Sequence, residues 1–411
     1  MLAGLVLLTL NLRAAITGIS PMLGDLQDTF GLSGVEVSVL TTLPVLCLGV
    51  FASVAPVLAR RLGTEVAITG SLFMITAGIV VRVVPSSVAL FAGTVLAGAG
   101  IAMGNVLMPA IIKRYFADRV GSLTGLAMML MAVSGAIAAG LAVPLDNAGG
   151  WRLALAVWAV PSLIAALVWG PIALRGRRTR EPAASTPATS EPGSLLRSPL
   201  AWSVAIFMGM ASLMFYVLMS WLPVIMQDHG FAPATAGMMV SSMMIIGIPL
   251  GFVVPVLAAR LRDQRLLVVG VAAAMVAGLI GMLLAPEAGW LWVTVLGLAT
   301  GSAFPLAYTL LSLRSPTPAV AARLSGMAQT GGYLLAGFGP LAVGVLHSVT
   351  GGWELSLILL LALVVPEAIF GLMAARPGFV RPSRTHPEGH LEHIIEPKDI
   401  PTPTPTPANA R

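Results

Sequence analysis

A single arginine interrupts the first apolar stretch of the chain. Arg13 stands about 11 residues into this stretch, roughly 17 Å along a helix and so near the middle of a bilayer. Insertion scales put the cost of such a cation at about 2.5 to 3.5 kcal/mol, so residues of this kind usually face a cavity or a partner. We predict that Arg13 faces a central cavity and attracts an anionic or strongly dipolar ligand. In the alternative, Arg13 pairs with backbone carbonyls or an acid, or snorkels, and is structural only.

The polar residues near Arg13 divide between two faces of the expected helix. Thr17 and Ser20 follow Arg13 at intervals of four and seven residues, which places all three on one face. Asn11 points in roughly the opposite direction, because two residues turn a helix by about 200°. We therefore expect Thr17 beside Arg13 in the cavity and an interhelical hydrogen bond at Asn11.

Four further polar side chains are candidates for the same cavity. Tyr216 and Ser220 share one helix face, as do Gln329 and Tyr333, because each pair is separated by four residues. Their hydroxyl and amide groups supply oriented hydrogen bonds without a permanent charge, which suits a small polar ligand. Asn105 lies among small residues that permit close helix approach. Hydrogen bonding between helices is the alternative role for each of these residues.

Acidic residues are scarce where a proton carrier would be needed. Glu367 is the one carboxylate expected well inside an apolar stretch. Others are expected at or beyond the ends of the stretches, namely Asp25, Asp28, Glu36, Asp146, Asp228, Glu287 and Glu354. A carboxylate that titrates in the cavity is one common proton carrier in membrane proteins. The sequence therefore favours a mechanism without a dedicated carboxylate relay.

Enzyme and ATPase motifs do not occur in the sequence. H-E-x-x-H, G-x-S-x-G and Walker-type patterns are all missing. Cys47 is the single cysteine, so an intrachain disulfide or a cluster of thiolate ligands is impossible. We therefore expect no enzymatic activity, no cofactor and no metal site.

Twelve apolar stretches are the elements that must position these residues. Of the 411 residues, 57% are hydrophobic and 10% charged, with a mean hydropathy of +0.93, which excludes an ordinary soluble domain. Stretches of about 20 residues can cross a bilayer as helices. The predicted spans are 2–23, 35–58, 66–84, 88–112, 120–144, 152–174, 200–225, 234–258, 266–285, 290–313, 320–347 and 353–374. We predict an all-α membrane protein with twelve transmembrane helices in two six-helix halves.

Two polar segments divide the chain into four regions. Residues 175–199 are rich in Arg, Ser, Thr, Pro, Ala and Glu, and residues 375–411 end in alternating Pro and Thr. Neither segment can bury enough apolar area to fold alone. We predict an N-terminal six-helix bundle at 1–174, a cytoplasmic linker at 175–199, a C-terminal six-helix bundle at 200–374 and a disordered cytoplasmic tail at 375–411.

The basic residues are distributed unevenly about these spans. With twelve spans both termini lie on one side, which carries the linker, the tail and the basic residues Arg60, Arg61, Lys113, Arg114, Arg119, Arg260, Arg262, Arg265, Arg314 and Arg323. The opposite side has Arg82 and Arg152 only. By the positive-inside rule, both termini are expected in the cytoplasm.

The two halves of the sequence repeat each other. Segments 55–62 and 254–261 align without a gap, and Gly-Gly-Trp occurs at the matching helix boundaries 149–151 and 351–353. Duplication of a six-helix unit is typical of transporters, in which the substrate site lies between the halves near the bilayer midplane.

This plan resembles the major facilitator superfamily over nearly the whole chain before the tail. The loop 59–63 is similar to a degenerate form of that superfamily's loop motif, with Arg60 where an aspartate is typical. A closer resemblance, to the bacterial cyanate and 2-nitroimidazole porter family, is carried by several dispersed segments. These are Asn-Leu-Arg at 11–13, Leu-Thr-Thr-Leu-Pro-Val-Leu-Cys at 40–47, Gly-Asn-Val-Leu-Met-Pro at 104–109, Phe-Tyr at 215–216, Trp-Leu-Pro at 221–223 and Leu-Ser-Gly-Met-Ala-Gln at 324–329.

The resemblance implies a bacterial inner-membrane transporter of a small anionic or polar organic solute. Cyanate-like, nitroimidazole-like and small carboxylate substrates all fit this expectation, and the expected contact residues are Arg13, Thr17, Asn105, Tyr216, Gln329 and Tyr333. We expect a monomer in the lipid bilayer that works by alternating access, with protons or a counter-transported anion as candidate coupled solutes and no nucleic-acid partner.

Two other functions are left open by the sequence. Efflux of drug-like aromatic compounds would need a wide apolar cavity, for which Met208, Met210, Met214 and Phe215 are available. A membrane sensor or a channel, neither of which works by alternating access, is the alternative of another class.

Overall fold

The computed structural model describes residues 1–19, 22–178 and 194–380, and these residues form a bundle of helices. The first half contains α1 (Leu2–Asn11), α2 (Ala14–Thr17), α3 (Leu23–Phe30), α4 (Gly34–Ala52), α5 (Val54–Leu62), α6 (Thr64–Arg82), α7 (Ser87–Tyr115), α8 (Val120–Ala156) and α9 (Ala159–Arg178). The second contains α10 (Pro199–Asp228), α11 (Pro233–Arg260), α12 (Arg265–Leu284), α13 (Gly289–Leu313), α14 (Pro318–Thr350) and α15 (Glu354–Ala374). The linker face is the end of the bundle where α9 ends and α10 begins, and the far face is the opposite end.

The described helices supply twelve spans. Nine helical segments are long and apolar enough to cross a membrane, and the bent pair α4–α5 makes a tenth. One of the nine, Ala117–Arg175, contains two spans, because the backbone at Gly149 and Gly150 is not helical. The shorter apolar pair α1–α2 supplies the remaining span. The predicted all-α fold with six spans in each half is confirmed.

The first span is not the continuous helix expected over 2–23. α1 ends at Asn11, and the backbone at Arg13 (φ −126°, ψ −39°) leaves the helical conformation before the four-residue α2. A break at this depth requires protein partners for the freed carbonyl groups. Thr17 Oγ1 lies 3.2 Å from the Arg13 carbonyl oxygen, and the Arg82 guanidinium donates to the Ala15 carbonyl at 2.7 Å. Periodicity alone could not predict the break, since a partner 67 residues away helps to hold it.

Arg82 is the last residue of α6, at the far end predicted for it, but it is not exposed there. Its side chain is 1% exposed and reaches from the end of α6 to the broken first span. Its long side chain turns inward, where the free carbonyl of the break accepts its hydrogen bond. Arg152 is exposed near the far face, so the excess of basic residues on the linker face remains.

Two other side chains of the first half also hold α1 in place. Asn11 Nδ2 donates to the Pro161 carbonyl on α9 at 3.3 Å, in addition to the Leu7 carbonyl in its own helix at 2.7 Å. Trp169, also on α9, donates its indole N–H to the Gly4 carbonyl at 2.9 Å. Asn11 thus makes the interhelical hydrogen bond expected of it.

The second span bends by 49° between α4 and α5. Pro56 follows the bend, and a proline cannot donate to the carbonyl four residues earlier and clashes with it. That carbonyl belongs to Ala52, where α4 ends. Pro56 therefore accounts for the position of the bend.

The halves contact each other closely toward the linker face. α8 packs against α11, α4 and α5 pack against α14, and α7 packs against α13 and α14. A Cβ atom at Gly121 on α8 would lie 2.6 Å from the Pro255 carbonyl oxygen and would also meet the Ala259 Cβ on α11. A Cβ atom at Gly326 on α14 would lie 2.7 Å from Pro56. Glycine at these two positions allows the halves to meet at the linker face.

The predicted linker and tail are described only in part. α9 runs to Arg178, four residues past the predicted end of the first bundle, and residues 179–193 lie outside the described part. The predicted tail is described up to Val380, which is fully buried and donates its N–H to the Arg314 carbonyl at 2.8 Å. Residues 381–411 and Ser20 also lie outside the described part.

Arg314 fastens the last helix to the linker face. Its guanidinium donates to the carbonyl groups of Ala374 and Ala375 at 2.8 and 2.9 Å and contacts the Gln264 side-chain oxygen. The last carbonyl groups of a helix have no partner within the helix, so a cation at this position satisfies them.

Replacing Arg314 with glutamine is expected to lower the stability of the second half by about 3 kcal/mol, because a buried set of charge-assisted hydrogen bonds is lost. Thermal unfolding in detergent measures the change. Arg376→Gln, which removes an exposed cation from the same segment, is the matched control. Equal melting temperatures for the two variants would show that the Arg314 contacts do not stabilise the helix end.

Candidate binding cavity

A cavity of about 470 Å³ lies between the two halves. Its walls come from α2 and α8 of the first half and from α10, α11, α13 and α14 of the second. Among the predicted contact residues, those lining it are Arg13, Thr17, Tyr216 and Tyr333. The structure thus brings together four side chains from three separate helical segments.

Among the described residues that line the cavity, Arg13 alone has a full charge. Its guanidinium makes no hydrogen bond or ion pair with any residue in the described ranges, although its charge acts on the hydroxyl groups of both Tyr216 and Tyr333. Neither tyrosine hydroxyl is hydrogen-bonded to another described residue. These three groups can therefore donate hydrogen bonds to a ligand.

The other hydroxyl groups of the cavity wall are already used. Thr17 lies 3.1 Å from the Gly135 carbonyl oxygen and 3.2 Å from that of Arg13. Ser212, Ser241 and Thr300 each donate to the carbonyl four residues earlier in their own helices. These oxygens can still accept a hydrogen bond, but their protons are engaged. Thr17 therefore helps to hold the broken span as well as lining the cavity.

Asn105 and Gln329 lie beside the cavity and do not line it. Both are buried, and the Gln329 amide donates to the Ser325 hydroxyl at 2.7 Å and to the Asn105 carbonyl at 3.4 Å. The same carbonyl accepts a hydrogen bond from the Tyr308 hydroxyl at 2.5 Å. These bonds connect α7 with α13 and α14, so the two predicted residues join the halves in this conformation.

Tyr308 was not singled out from the sequence, although a signal for it exists. Thr300, Phe304 and Tyr308 follow one another at intervals of four on α13. The first two line the cavity, and Tyr308 lies one turn nearer the linker face and is buried. The spacing of this row matches that of the pair Gln329 and Tyr333, and would have indicated a third helix at the cavity.

Replacing Tyr308 with phenylalanine is expected to disfavour the conformation seen here by about 1 kcal/mol, because one buried hydrogen bond between the halves is lost. The apparent affinity for a ligand added from the far face should fall by up to about fivefold, because it scales with the fraction of protein in the competent state. Titration calorimetry or a binding-induced thermal shift measures this. Thr309→Val removes a hydrogen bond within α13 and is the control, since it leaves the halves connected. A Tyr308→Phe affinity equal to that of the control would contradict the assignment.

The remaining wall is rich in methionine and phenylalanine. It contains Met128, Met131, Met219, Met243, Met244, Phe215 and Phe304, together with alanine and glycine. Of the side chains that the sequence suggested for an apolar cavity, only Phe215 takes part. Met208, Met210 and Met214 are buried within the second half. Flexible thioethers and aromatic rings favour contact with a planar apolar ligand.

None of the lining residues in the described part of the chain is a carboxylate. Glu367 is buried on α15, and neither of its side-chain oxygens has a hydrogen-bond partner in the described part of the chain. α15 packs mainly against α10 and α12, away from the first half. The cavity therefore has a net positive charge.

The cavity becomes more accessible toward the far face. Met128 on α8 and Gly251 on α11 are buried, whereas Ala139 and Ser241, roughly 15 Å further along the same helices, are exposed. The close contacts at Gly121 and Gly326 close the linker face. The structure is thus in a state that is closed at the linker face and accessible from the far face.

Two six-helix halves that enclose a cavity reached from one face define a transporter that works by alternating access. The chain belongs to the Major Facilitator Superfamily, whose family model matches residues 5–340. The chain is accordingly a membrane transporter of small solutes and not an enzyme.

Three relatives cover nearly the whole chain. The uncharacterized transporter YycB of Bacillus subtilis (strain 168) is 37% identical over 384 residues, which are 92% of this chain and 94% of the relative. The 2-nitroimidazole transporter of Escherichia coli (strain K12) is 35% identical over 93% and 96% of the two chains. The cyanate transport protein CynX of the same organism is 30% identical over 86% and 91%. The resemblance drawn from the dispersed segments is confirmed.

Solved structures support the fold independently. The proton:xylose symporter XylE, bound to 6-bromo-6-deoxy-D-glucose, superposes with a TM-score of 0.73 over 92% of this chain and 96% of its own. The two sequences are 12% identical, so this likeness concerns the fold alone.

Proposed function

We propose that this transporter carries a small organic anion with a flat apolar body, such as an aromatic carboxylate. The observation that supports the proposal is that Arg13, which pairs with no described residue, lies with two tyrosine hydroxyl groups inside a wall of Met and Phe side chains. An arginine can bind a carboxylate through two parallel hydrogen bonds. Similarity to transporters named for 2-nitroimidazole and cyanate agrees with a ligand that is planar, small and polar or anionic.

In this proposal the polar and the aromatic residues of the cavity wall contact different parts of the ligand. Arg13 binds the anionic group, and Tyr216 and Tyr333 donate hydrogen bonds to it. Phe215 and Phe304 contact the ring. Asn105 and Gln329 act indirectly, by stabilising the closed linker face while the ligand enters from the far face.

The proposed orientation places both termini and the linker in the cytoplasm of a bacterial cell, in its inner membrane. The excess of basic residues on the linker face supports it. The far face is then periplasmic, and the state described here is outward-facing. We further propose a first bundle over about 1–174 and a second over about 200–374, joined by a linker and followed by a tail, with a monomer without nucleic acid as the working unit.

The proposed mechanism is uniport, exchange of anions, or co-transport of a protonated substrate. A cavity with one cation and no carboxylate lacks the usual proton carrier. Exchange fits particularly well, because a second anion can restore the charge balance at Arg13 on the return step.

The test compares ligands of matched shape on the purified full-length protein. Benzoate and benzamide have nearly the same size and differ in charge, while cyanate and nitrate are anions without an apolar body. Benzoate is expected to raise the melting temperature most, since a ligand that binds the folded state stabilises it. Counterflow of labelled benzoate in proteoliposomes then tests transport. The proposal is wrong if benzamide stabilises the protein as well as benzoate does.

Efflux of neutral aromatic compounds is the second candidate, favoured by the Met- and Phe-rich wall. It predicts that benzamide, 2-nitroimidazole and larger aromatic dyes bind without help from Arg13. A sensor or channel, the candidate of another class, would show ligand binding without counterflow, or a flux far faster than a carrier allows.

A further inference from the structure

Arg82 is a buried cation that lies outside the binding cavity. It does not belong to the residues that line the cavity, and its side chain is buried at the end of α6. Its Nη1 atom donates to the Ala15 carbonyl at 2.7 Å. Its Nε and Nη2 atoms are also buried and have no hydrogen-bond partner in the described part of the chain. A single described carbonyl group therefore serves a whole guanidinium.

This arrangement of Arg82 is unfavourable for the stability of the fold. Moving a charged group out of water is costly, and good geometry with several hydrogen bonds is needed to offset that cost. An apolar side chain of similar volume is often as good as a buried charge or better. Stability alone therefore does not account for an arginine at this position.

The carbonyl that Arg82 binds belongs to the break beside Arg13. In a continuous helix the Ala15 carbonyl would accept the N–H of Ile19, four residues later. In the structure the Ile19 N–H donates instead to the Ile16 carbonyl at 3.3 Å. Arg82 thus occupies the carbonyl group that a continuous first span would need.

Two helices fix the positions of Arg82 and Arg13 on either side of this break. A Cβ atom at Gly93 on α7 would lie 2.8 Å from the Arg82 Cα, so the backbone at Arg82 is held against α7. A Cβ atom at Gly135 on α8 would lie 3.5 Å from the Arg13 Cβ. Arg13 therefore lies between α8 and the segment that Arg82 holds, and a shift of that segment would move it.

We propose that Arg82 is a positioning residue for ligand binding, which keeps the first span broken by holding the Ala15 carbonyl and so keeps the Arg13 guanidinium inside the cavity. It acts without contacting the ligand. Without Arg82 the Ala15 carbonyl can accept the Ile19 N–H, and the span that becomes continuous turns Arg13 away from its place beside Gly135. This inference rests on the binding role proposed for Arg13.

The first test measures stability and ligand binding on the purified full-length protein. Arg82→Met removes the charge and keeps most of the side-chain volume, so the melting temperature without ligand should equal or exceed that of wild type. Benzoate affinity is expected to fall roughly tenfold, as it would if the broken span persisted in about a tenth of the molecules. Benzamide has no charge to pair with Arg13 and should bind as before. Arg82→Lys should restore most of the benzoate affinity, because its ammonium group can donate to the same carbonyl.

Trp169→Phe is the matched control for Arg82→Met. Trp169 is also buried outside the cavity, and it donates to a carbonyl of the first span before the break, that of Gly4, at 2.9 Å. This variant should be less stable than wild type and keep the preference for benzoate over benzamide. An equal loss of that preference in both variants would overturn the proposal, since any disturbance of the span would then weaken binding.

A double variant shows whether Arg82 acts through Arg13. The effects of two residues that act through one contact do not add. Arg13→Gln/Arg82→Met should therefore bind benzoate as weakly as Arg13→Gln does and no more weakly. A further loss as large as that of Arg82→Met alone would contradict the positioning role.

Thiol labelling tests the position of residue 13 without any ligand. Arg13→Cys in a Cys47→Ser background should react readily with an impermeant reagent added at the far face, and roughly tenfold more slowly once Arg82→Met is added. Unchanged labelling would overturn the inference even if the protein binds benzoate. If labelling slows but wild type binds benzoate and benzamide equally, the ligand class proposed above is wrong and Arg82 still positions residue 13.

Discussion

Replacing Arg13 with glutamine is expected to weaken the binding of a small aromatic carboxylate by about 30-fold or more. Removing one partner of a buried charge pair costs about 2 to 5 kcal/mol, and each 1.4 kcal/mol is a factor of ten. The fold should survive, because the Arg13 side chain makes no hydrogen bond or ion pair with any residue in the described part of the chain. Arg13→Lys should recover part of the affinity, since it keeps the charge and loses the paired donors.

Ligand-induced thermal shift and counterflow measure this effect on wild type and variant. Arg152→Gln is the matched control, because Arg152 is an exposed cation near the far face whose side chain lies beside Trp151. The control separates a loss of local binding from a general change in the electrostatic attraction of anions. Equal loss in both variants would contradict a direct role for Arg13. So would a loss of benzamide binding as large as the loss of benzoate binding.

The positions of the spans and the place of Arg13 beside a cavity could be predicted from sequence, because each follows from the cost of exposing polar or charged groups to lipid. Uninterrupted apolar runs predict helices, since a bilayer leaves few other ways to satisfy the backbone. A cation in such a run predicts a cavity, because a charge that faces lipid tails is costly. Thr17, Tyr216 and Tyr333 were found through helical spacing, which holds within each segment even though the first span is broken.

The break at Arg13 and the positions of Asn105 and Gln329 depend on residues that are distant in the chain. The break is held by Arg82, which composition alone places at a helix end. Asn105 lies among small residues, which predict a close contact between helices. They do not indicate whether its polar group contacts a ligand or another helix. In the structure its carbonyl is bonded by Tyr308 and Gln329, more than 200 residues away. Spacing within one helix has no information about such partners.

A substitution at the contact between α8 and α11 is expected to have the second large effect on transport, because the linker face can close only if these helices approach closely. A Cβ atom at Gly121 would lie 2.6 Å from a backbone oxygen of Pro255, and backbone cannot move aside as the end of a side chain can. Gly121→Leu is therefore expected to disfavour closure by about 3 kcal/mol, which shifts the ratio of the two states by more than 100-fold. Transport should fall accordingly, and the cavity should become inaccessible from the far face.

Thiol labelling measures this shift directly in the Gly121→Leu variant. Cys47 is the single native cysteine and is buried, so a Cys47→Ser background with Ala136→Cys reports on the cavity wall alone. An impermeant reagent added at the far face should label Ala136→Cys readily, and at least tenfold more slowly once Gly121→Leu is added. Gly140→Leu on the same helix is the control, because a side chain there meets open space. If Gly121→Leu is labelled and transports like this control, the close approach of α8 and α11 does not govern closure. If labelling slows in Gly121→Leu and not in the control, the contact between α8 and α11 controls which face the cavity opens to.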